Sequence, residues 1–151
     1  MDPLEVRRAT LDEIVSLRAD VLRAERPPET ALLPGDESGR GTHWGAWIGD
    51  RLVACASLYP AERDGRPSTQ LRGAATAAEH RNKGVGGALL DAAIGAWLLD
   101  PAAARPLWCN ARIRAVPFYE RHGFVALGEA FEIRDIGLHR AMEYVAEGRH
   151  P

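Results

Sequence analysis

Arg81-Asn82-Lys83-Gly84-Val85-Gly86-Gly87-Ala88 is the stretch whose reading decides the fold. A strand-like run, Ser68–Thr76, ends just before it, and an apolar helix-like run begins inside it at Val85. Three glycines and two cations therefore stand at a strand-to-helix junction. The first N–H groups of a helix lack internal partners, and the helix dipole adds partial positive charge there. Glycines let a large anion approach the backbone closely. The junction reads as a diphosphate cradle. A glycine-rich turn without a ligand is the other reading, and the rest of the chain decides between them.

The spacing separates the common versions of such a cradle. A Walker loop needs Gly, four residues, then Gly-Lys-Ser/Thr. Here Lys83 precedes the glycines and no Ser or Thr follows them. A dinucleotide fingerprint needs Gly-x-Gly-x-x-Gly, but counting from Gly84 its third glycine position is Leu89. Both failures disfavour a nucleotide binder of those kinds. What remains is Arg-x-x-Gly-x-Gly, carried by Arg81, Gly84 and Gly86.

A chain of 151 residues predicts one domain, spanning 1–151, with one sizeable core. Hydrophobic content of 46% and charged content of 26% are ordinary for a globular protein. A net charge of −2 argues against a nucleic-acid partner. Met1-Asp2-Pro3-Leu4-Glu5 shows no basic-then-apolar signal pattern. No apolar run nears the roughly 20 residues that span a bilayer, so no membrane partner is expected. Cys55 and Cys109 lie in strand-like apolar runs and read as buried free thiols, which suits a cytoplasmic location. No Cys/His cluster has zinc spacing, so no metal is expected.

Outward from the junction, hydrophobic periodicity places the elements. Leu4–Arg8 alternates as a strand. Thr10 with Glu13 forms a capping box, and Leu11, Ile14, Arg18, Val21 and Leu22 share one helical face, which Pro27-Pro28 closes. Residues 27–41 read as a mobile loop. Thr42–Ile48 and Leu52–Tyr59 flank a turn at Gly49-Asp50-Arg51. Pro60–Pro67 reads as a polar connection before the third strand of this group. Val85, Leu89, Ala92, Ala93, Ala96 and Trp97 mark the inner face of the helix after the junction, and Asp100-Pro101 ends it. Leu107–Ala111 is a short buried strand. Arg114–His122 is a second amphipathic helix stopped by Gly123. Phe124–Ile133 and Leu138–Val145 close the chain as two strands. The order β-α-β-β-β-α-β-α-β-β predicts an α/β fold: a mixed sheet of about six or seven strands with helices on both faces.

The segment Ala115-Val116-Pro117-Phe118-Tyr119-Glu120-Arg121-His122-Gly123-Phe124 matches the pattern A-x-x-F-Y-x-x-x-G-F. Together with Arg81-x-x-Gly84-x-Gly86 it resembles the GCN5-related N-acetyltransferase (GNAT) family. Asn110-Ala111-Arg112 and the ending Gly137-Leu138-His139-Arg140-Ala141-Met142 resemble the ElaA/YjcF-like branch of that family. The resemblance covers roughly 42–145. Two departures stand out. Ala74-Ala75-Thr76 replaces bulkier apolar residues before the cradle, and Ala78 stands where proline is common. Neither removes a backbone group.

The resemblance implies acetyl-CoA as acyl donor and a small-molecule or peptide amine as acceptor, by direct transfer. It implies diphosphate contacts from Arg81, Asn82, Lys83, Gly84, Val85, Gly86, Gly87 and Ala88. It implies pantetheine contacts from Ala74, Ala75, Thr76, Asn110 and Phe118. Asn110 reads equally well as a strand-end cap. Tyr119 is the candidate general acid for the leaving sulfur, since a phenol of pKa near 10 is protonated at neutral pH; packing on the sheet is its other reading. The general base is unassigned between Glu132, His139 and a water relay, and an amine arriving already neutral would need none. His43, His80 and His122 read as solvent-facing, and the four tryptophans as core. The family resemblance leaves a homodimer open. A GNAT-like module that binds CoA without turnover is the alternative function.

Overall fold

The computed structural model describes residues 2–22, 32–134 and 136–145. Strand β1 (Leu4–Ala9) leads into helix α1 (Leu11–Leu22). The capping box forms as the sequence implies. The Thr10 hydroxyl accepts from the Glu13 N–H at 3.2 Å, and the Glu13 carboxylate accepts from the Thr10 N–H at 2.8 Å. Thr10→Ala removes one half of this exchange and is expected to cost about 1 kcal/mol. A thermal melt checks it, with a fall in Tm of roughly 2–4 °C. Residues 23–31, where the helix stop at Pro27-Pro28 was expected, lie outside the described residues.

Strands β2 (Thr42–Ile48), β3 (Arg51–Arg63) and β4 (Arg66–Thr76) continue the sheet as antiparallel neighbours. The segment expected as a polar connection, 60–67, is instead the tip of one long hairpin. Arg63 pairs with Arg66 around Asp64-Gly65, whose φ values of 54° and 78° suit a two-residue I′ turn. Pro60 and Pro67 look like strand breakers in sequence, yet both are accommodated within the hairpin, opposite Thr69 and Glu62.

Helix α2 (Val85–Leu99) crosses over to β5 (Leu107–Arg112), which runs parallel to β4. Helix α3 (Val116–Arg121) is shorter than expected, because Ile113–Ala115 forms a 3-10 turn ahead of it. Strands β6 (Phe124–Ile133) and β7 (Gly137–Tyr144) form the closing hairpin. The seven strands lie in the order β1-β2-β3-β4-β5-β7-β6. This is the expected mixed sheet.

Helices α2 and α3 cover one face. Val85, Leu89, Leu90, Ile94, Trp97 and Tyr119 pack there with Ala54, Leu58, Leu71, Leu107 and Met142. The inner face of α2 is rotated from the expected one: Leu90 and Ile94 are buried, while Ala96 is exposed. The helix is apolar almost all round, so periodicity defines its buried stripe weakly. Helix α1 covers the other face with a smaller core of Ile14, Cys55 and Ala75. Cys55 and Cys109 are both free and buried. Among the described residues no helix is long and apolar enough to cross a membrane.

Candidate active site

The site begins with a defect in β4. Arg72 pairs with Ser57 and Ala75 with Cys55, so Gly73 and Ala74 together oppose the single residue Ala56. Gly73 has φ +69°, the left-handed conformation that glycine adopts without penalty. Such a bulge bends its strand and increases the local twist. Beyond it, β4 and β5 separate. Their pairing covers only Thr69–Leu107, Gln70–Trp108 and Leu71–Cys109. Asn110, Ala111 and Arg112 pair with β7 alone. A wedge therefore opens between two strands whose facing backbone groups have no ladder partner among the described residues.

The glycine junction lies at the mouth of this wedge. A 3-10 turn over Ala78–His80 follows β4, and Asn82 takes φ 62°. Gly84 caps α2 with φ 81° and ψ 0°, a conformation that again favours glycine, and no side chain caps the helix. The first helical bond runs from the Ala88 N–H to the Gly84 carbonyl at 3.0 Å. The N–H groups of Val85, Gly86 and Gly87 precede it and are left for an outside acceptor. A Cβ on Gly86 would lie 3.2 Å from the Thr76 hydroxyl and 3.8 Å from the Phe118 ring. Gly86 thus sits where the end of β4, the start of α2 and the side of α3 meet. A Cβ on Gly87 would come within 2.9 Å of the His122 ring, so that glycine also serves packing.

The residues named from sequence do not all present themselves alike. Ala74 is exposed on the bulge, and the Ala75 side chain is buried in the α1 core, leaving only its backbone for a ligand. The Arg81 Nε donates to the Thr76 carbonyl at 3.3 Å, which ties the loop to the strand end. Asn82, Lys83, Gly84 and Ala88 are exposed at the mouth. Asn110 is the first residue of β5 beyond its pairing with β4 and is half-buried.

Tyr119 lies in the core beneath the wedge, edge-on to Phe118 and Phe124. Burial pushes its hydroxyl up from the ordinary phenol value, and the neighbouring Cys109 adds to the shift. The hydroxyl is protonated across the physiological range. Cys109 stands at the last β4–β5 pair, so this neighbourhood puts Tyr119 near the vertex of the wedge. The Cys109 thiol is pushed up to about 12 by burial, which removes it as a nucleophile at neutral pH.

The two carboxyl and imidazole candidates for a base are not brought together. His139 is buried, with Nδ1 2.8 Å from the Gly137 carbonyl. That contact fixes the proton on Nδ1 and ties the ring into the hairpin. Glu132 pairs with Leu138, one position out of phase with Phe131–His139, and so faces the other side of the sheet. Two histidines read as solvent-facing are engaged instead. His43 Nδ1 lies 2.7 Å from the Ser57 hydroxyl, and burial, then the charge of Arg18, lowers its pKa. His122 Nδ1 lies 2.9 Å from Asp91, with the ring against Phe118.

A buried ionic network beside the bulge was not legible as such. Arg18, on the apolar face of α1, is fully buried. Its Nη1 donates to Asp36 at 2.8 Å, and its Nη2 to Ser57 and Tyr59 at 2.8 and 2.6 Å. The Tyr59 hydroxyl donates to the other Asp36 oxygen, and the Leu33 N–H to Asp36 at 2.7 Å. Burial works to raise the Asp36 pKa, but the Leu33 N–H, the Tyr59 hydroxyl and Arg18 outweigh it and hold it low. The described part of the 27–41 loop, residues 32–41, is therefore pinned to the sheet rather than loose. A Cβ on Gly73 would lie 2.8 Å from Arg18 Nε, so this guanidinium buttresses the bulge. The sequence signal was Arg18 itself, a cation at a core position of an amphipathic helix.

The mixed sheet is thus parted at its parallel pair, with an open helix start at the mouth of the parting. The model of the Acetyltransferase (GNAT) family matches residues 11–124, and the chain belongs to that family. It is 28% identical over 142 residues to the uncharacterized N-acetyltransferase YitI of Bacillus subtilis, covering 92% of this chain and 94% of YitI. Escherichia coli ElaA has the same fold, with a TM-score of 0.76 and 20% identity over 96% of this chain and all of that one. A GNAT family acetyltransferase from Elizabethkingia anophelis, solved with acetyl-CoA bound, superposes with a TM-score of 0.68 at 16% identity, covering 95% and 99% of the two chains.

Proposed function

We propose that this protein transfers an acetyl group from acetyl-CoA to the primary amine of a small molecule or peptide. The observation that carries this is the β4–β5 wedge opening onto the uncapped start of α2. The backbone of Ala74, Thr76 and Asn110, which the β4–β5 ladder does not engage, can bond the amides of pantetheine as a further strand would. The N–H groups of Val85, Gly86 and Gly87 can hold the diphosphate, with Arg81 and Lys83 near by. The acetyl-CoA held by the Elizabethkingia relative supports the same donor here. The two buried thiols suit a cytoplasmic setting.

In the reaction the neutral amine attacks the thioester carbonyl carbon. A C–N bond forms, the C–S bond breaks, and the amine proton leaves to solvent. The thiolate takes its proton from Tyr119, which is protonated at neutral pH and regains a proton from solvent afterwards; the burial that raises its pKa works against this donation, so the phenol must act on the sulfur as its charge develops. Tyr119→Phe is expected to lower kcat about 100-fold while leaving the KM for acetyl-CoA within about twofold, because only the leaving sulfur loses a partner. Free-thiol release with an amine acceptor measures both; an unchanged kcat would remove Tyr119 from the chemistry. A CoA-binding module without turnover is the second reading, favoured by the tethered His139 and the averted Glu132. Thiol release across a panel of amines decides between the two.

A further inference from the structure

We infer that the amine acceptor carries an oxyanion, a carboxylate or a phosphate, and that Arg72 holds it beside the parting of β4 and β5. The inference rests on the acetyltransferase reading and narrows its acceptor. Arg72 and Asn110 are the first residues of the two strands beyond their last pair, Leu71–Cys109. By the alternation of side chains, Arg72 stands on the α1 face with Ser57, to which it is paired. That face is the side of the wedge away from Tyr119, and the amine must enter there if the acid protonates sulfur from the other.

The Arg72 guanidinium is held ready but not neutralised. It lies 4.2 Å over the Tyr59 ring, and its Nη2 donates to the Pro34 carbonyl at 2.6 Å. Its Nε is buried, without a hydrogen-bond partner and out of a ligand's reach, which leaves the Nη1 end of the guanidinium for an anion, and it forms no ion pair among the described residues. The nearby carboxylate, Asp36, is already spent on Arg18, Tyr59 and Leu33. Across the wedge, beyond the last β4–β5 pair, the same face presents Asn110, Arg112 and His139 and, among the described residues of β5 and β7, no carboxylate. Glu143 pairs with Trp108, on the closed side of the parting. Burial opposes the charge on Arg72 and lowers its pKa, so a bound anion would relieve a cost the protein now bears. A guanidinium with a fixed, stacked plane binds carboxylate or phosphate oxygens through paired N–H donors.

The test pairs transfer with binding. Amino acids, their primary amides and phosphoethanolamine serve as acceptors, and the N-acetylated forms of the same compounds as calorimetric ligands. Wild type is expected to favour the acids or the phosphate ester over the amides by at least about tenfold, since the anion supplies charge-assisted bonds. Arg72→Gln should bring that ratio towards one, and Arg72→Lys should restore part of it. CoA affinity, expected within about twofold of wild type, reports that the variants are folded. The preferred acceptor identifies which oxyanion is bound. Amides equal to acids in wild type, or a ratio that Arg72→Gln leaves intact, would overturn the assignment. Absence of transfer to every amine would sink the acetyltransferase reading instead, while the calorimetric arm would still decide the anion site.

Discussion

Gly86→Asp is expected to abolish CoA binding while leaving the protein at least as stable. The new carboxylate would stand at the second position of α2, among the N–H groups that otherwise receive the diphosphate. It would repel the ligand and fill its place. A loss of affinity of 100-fold or more corresponds to about 2.7 kcal/mol or greater. The same carboxylate interacts favourably with the helix dipole, typically by 0.3–1 kcal/mol, so Tm should hold or rise slightly. Loss of binding with retained stability separates a blocked site from a broken fold. Gly86→Ala is the control. Its Cβ would crowd the Thr76 hydroxyl at 3.2 Å, which a small rotamer change relieves, and make ordinary contact with the Phe118 ring at 3.8 Å, so its effect on affinity should be far smaller. Calorimetric titration with CoA and a thermal melt read both quantities.

Asp36→Ala is expected to destabilise the protein more than any surface change. It leaves Arg18 charged beneath α1, where the side chains of the pair are 1% and 2% exposed. Breaking a buried pair from one side costs about 3–5 kcal/mol, or roughly 6–20 °C in Tm at this chain length. Replacing both partners by apolar residues, Arg18→Met with Asp36→Leu, should recover much of the loss, because the desolvation cost of the charge vanishes with it. The pH dependence has a defined sign. Asp36 is held below the ordinary carboxylate value in the folded state. Its contribution is complete above the unfolded pKa, about 3.9, and is lost as the pH falls through the lower folded value. The gap in Tm between wild type and Asp36→Ala should therefore narrow below about pH 4. A gap independent of pH would show that the carboxylate charge is not what stabilises the loop.

The legible parts of this protein are those written in short stretches. Arg81–Ala88 and Ala115–Phe124 each carry their geometry locally: glycine at a left-handed cap, and an aromatic pair on one helical turn. The Thr10–Glu13 exchange spans three residues and could be read directly. The network around Arg18 could not, because Asp36 and Tyr59 lie 18 and 41 positions away and meet it only in the folded sheet. Nor could the bulge at Gly73, which exists only as a mismatch with β3. The long β3–β4 hairpin was masked by Pro60 and Pro67, although Asp64-Gly65 is a strong turn signal. The face of a closing strand depends on register, which is why Glu132 and His139 looked equivalent in sequence and point to opposite sides of the sheet.

A crystal structure of the protein with CoA tests the central claim most directly. The diphosphate should lie within hydrogen-bonding distance, about 3 Å, of the main-chain nitrogens of Val85, Gly86 and Gly87, with pantetheine running between β4 and β5. CoA bound elsewhere, with those nitrogens facing only solvent, would contradict it.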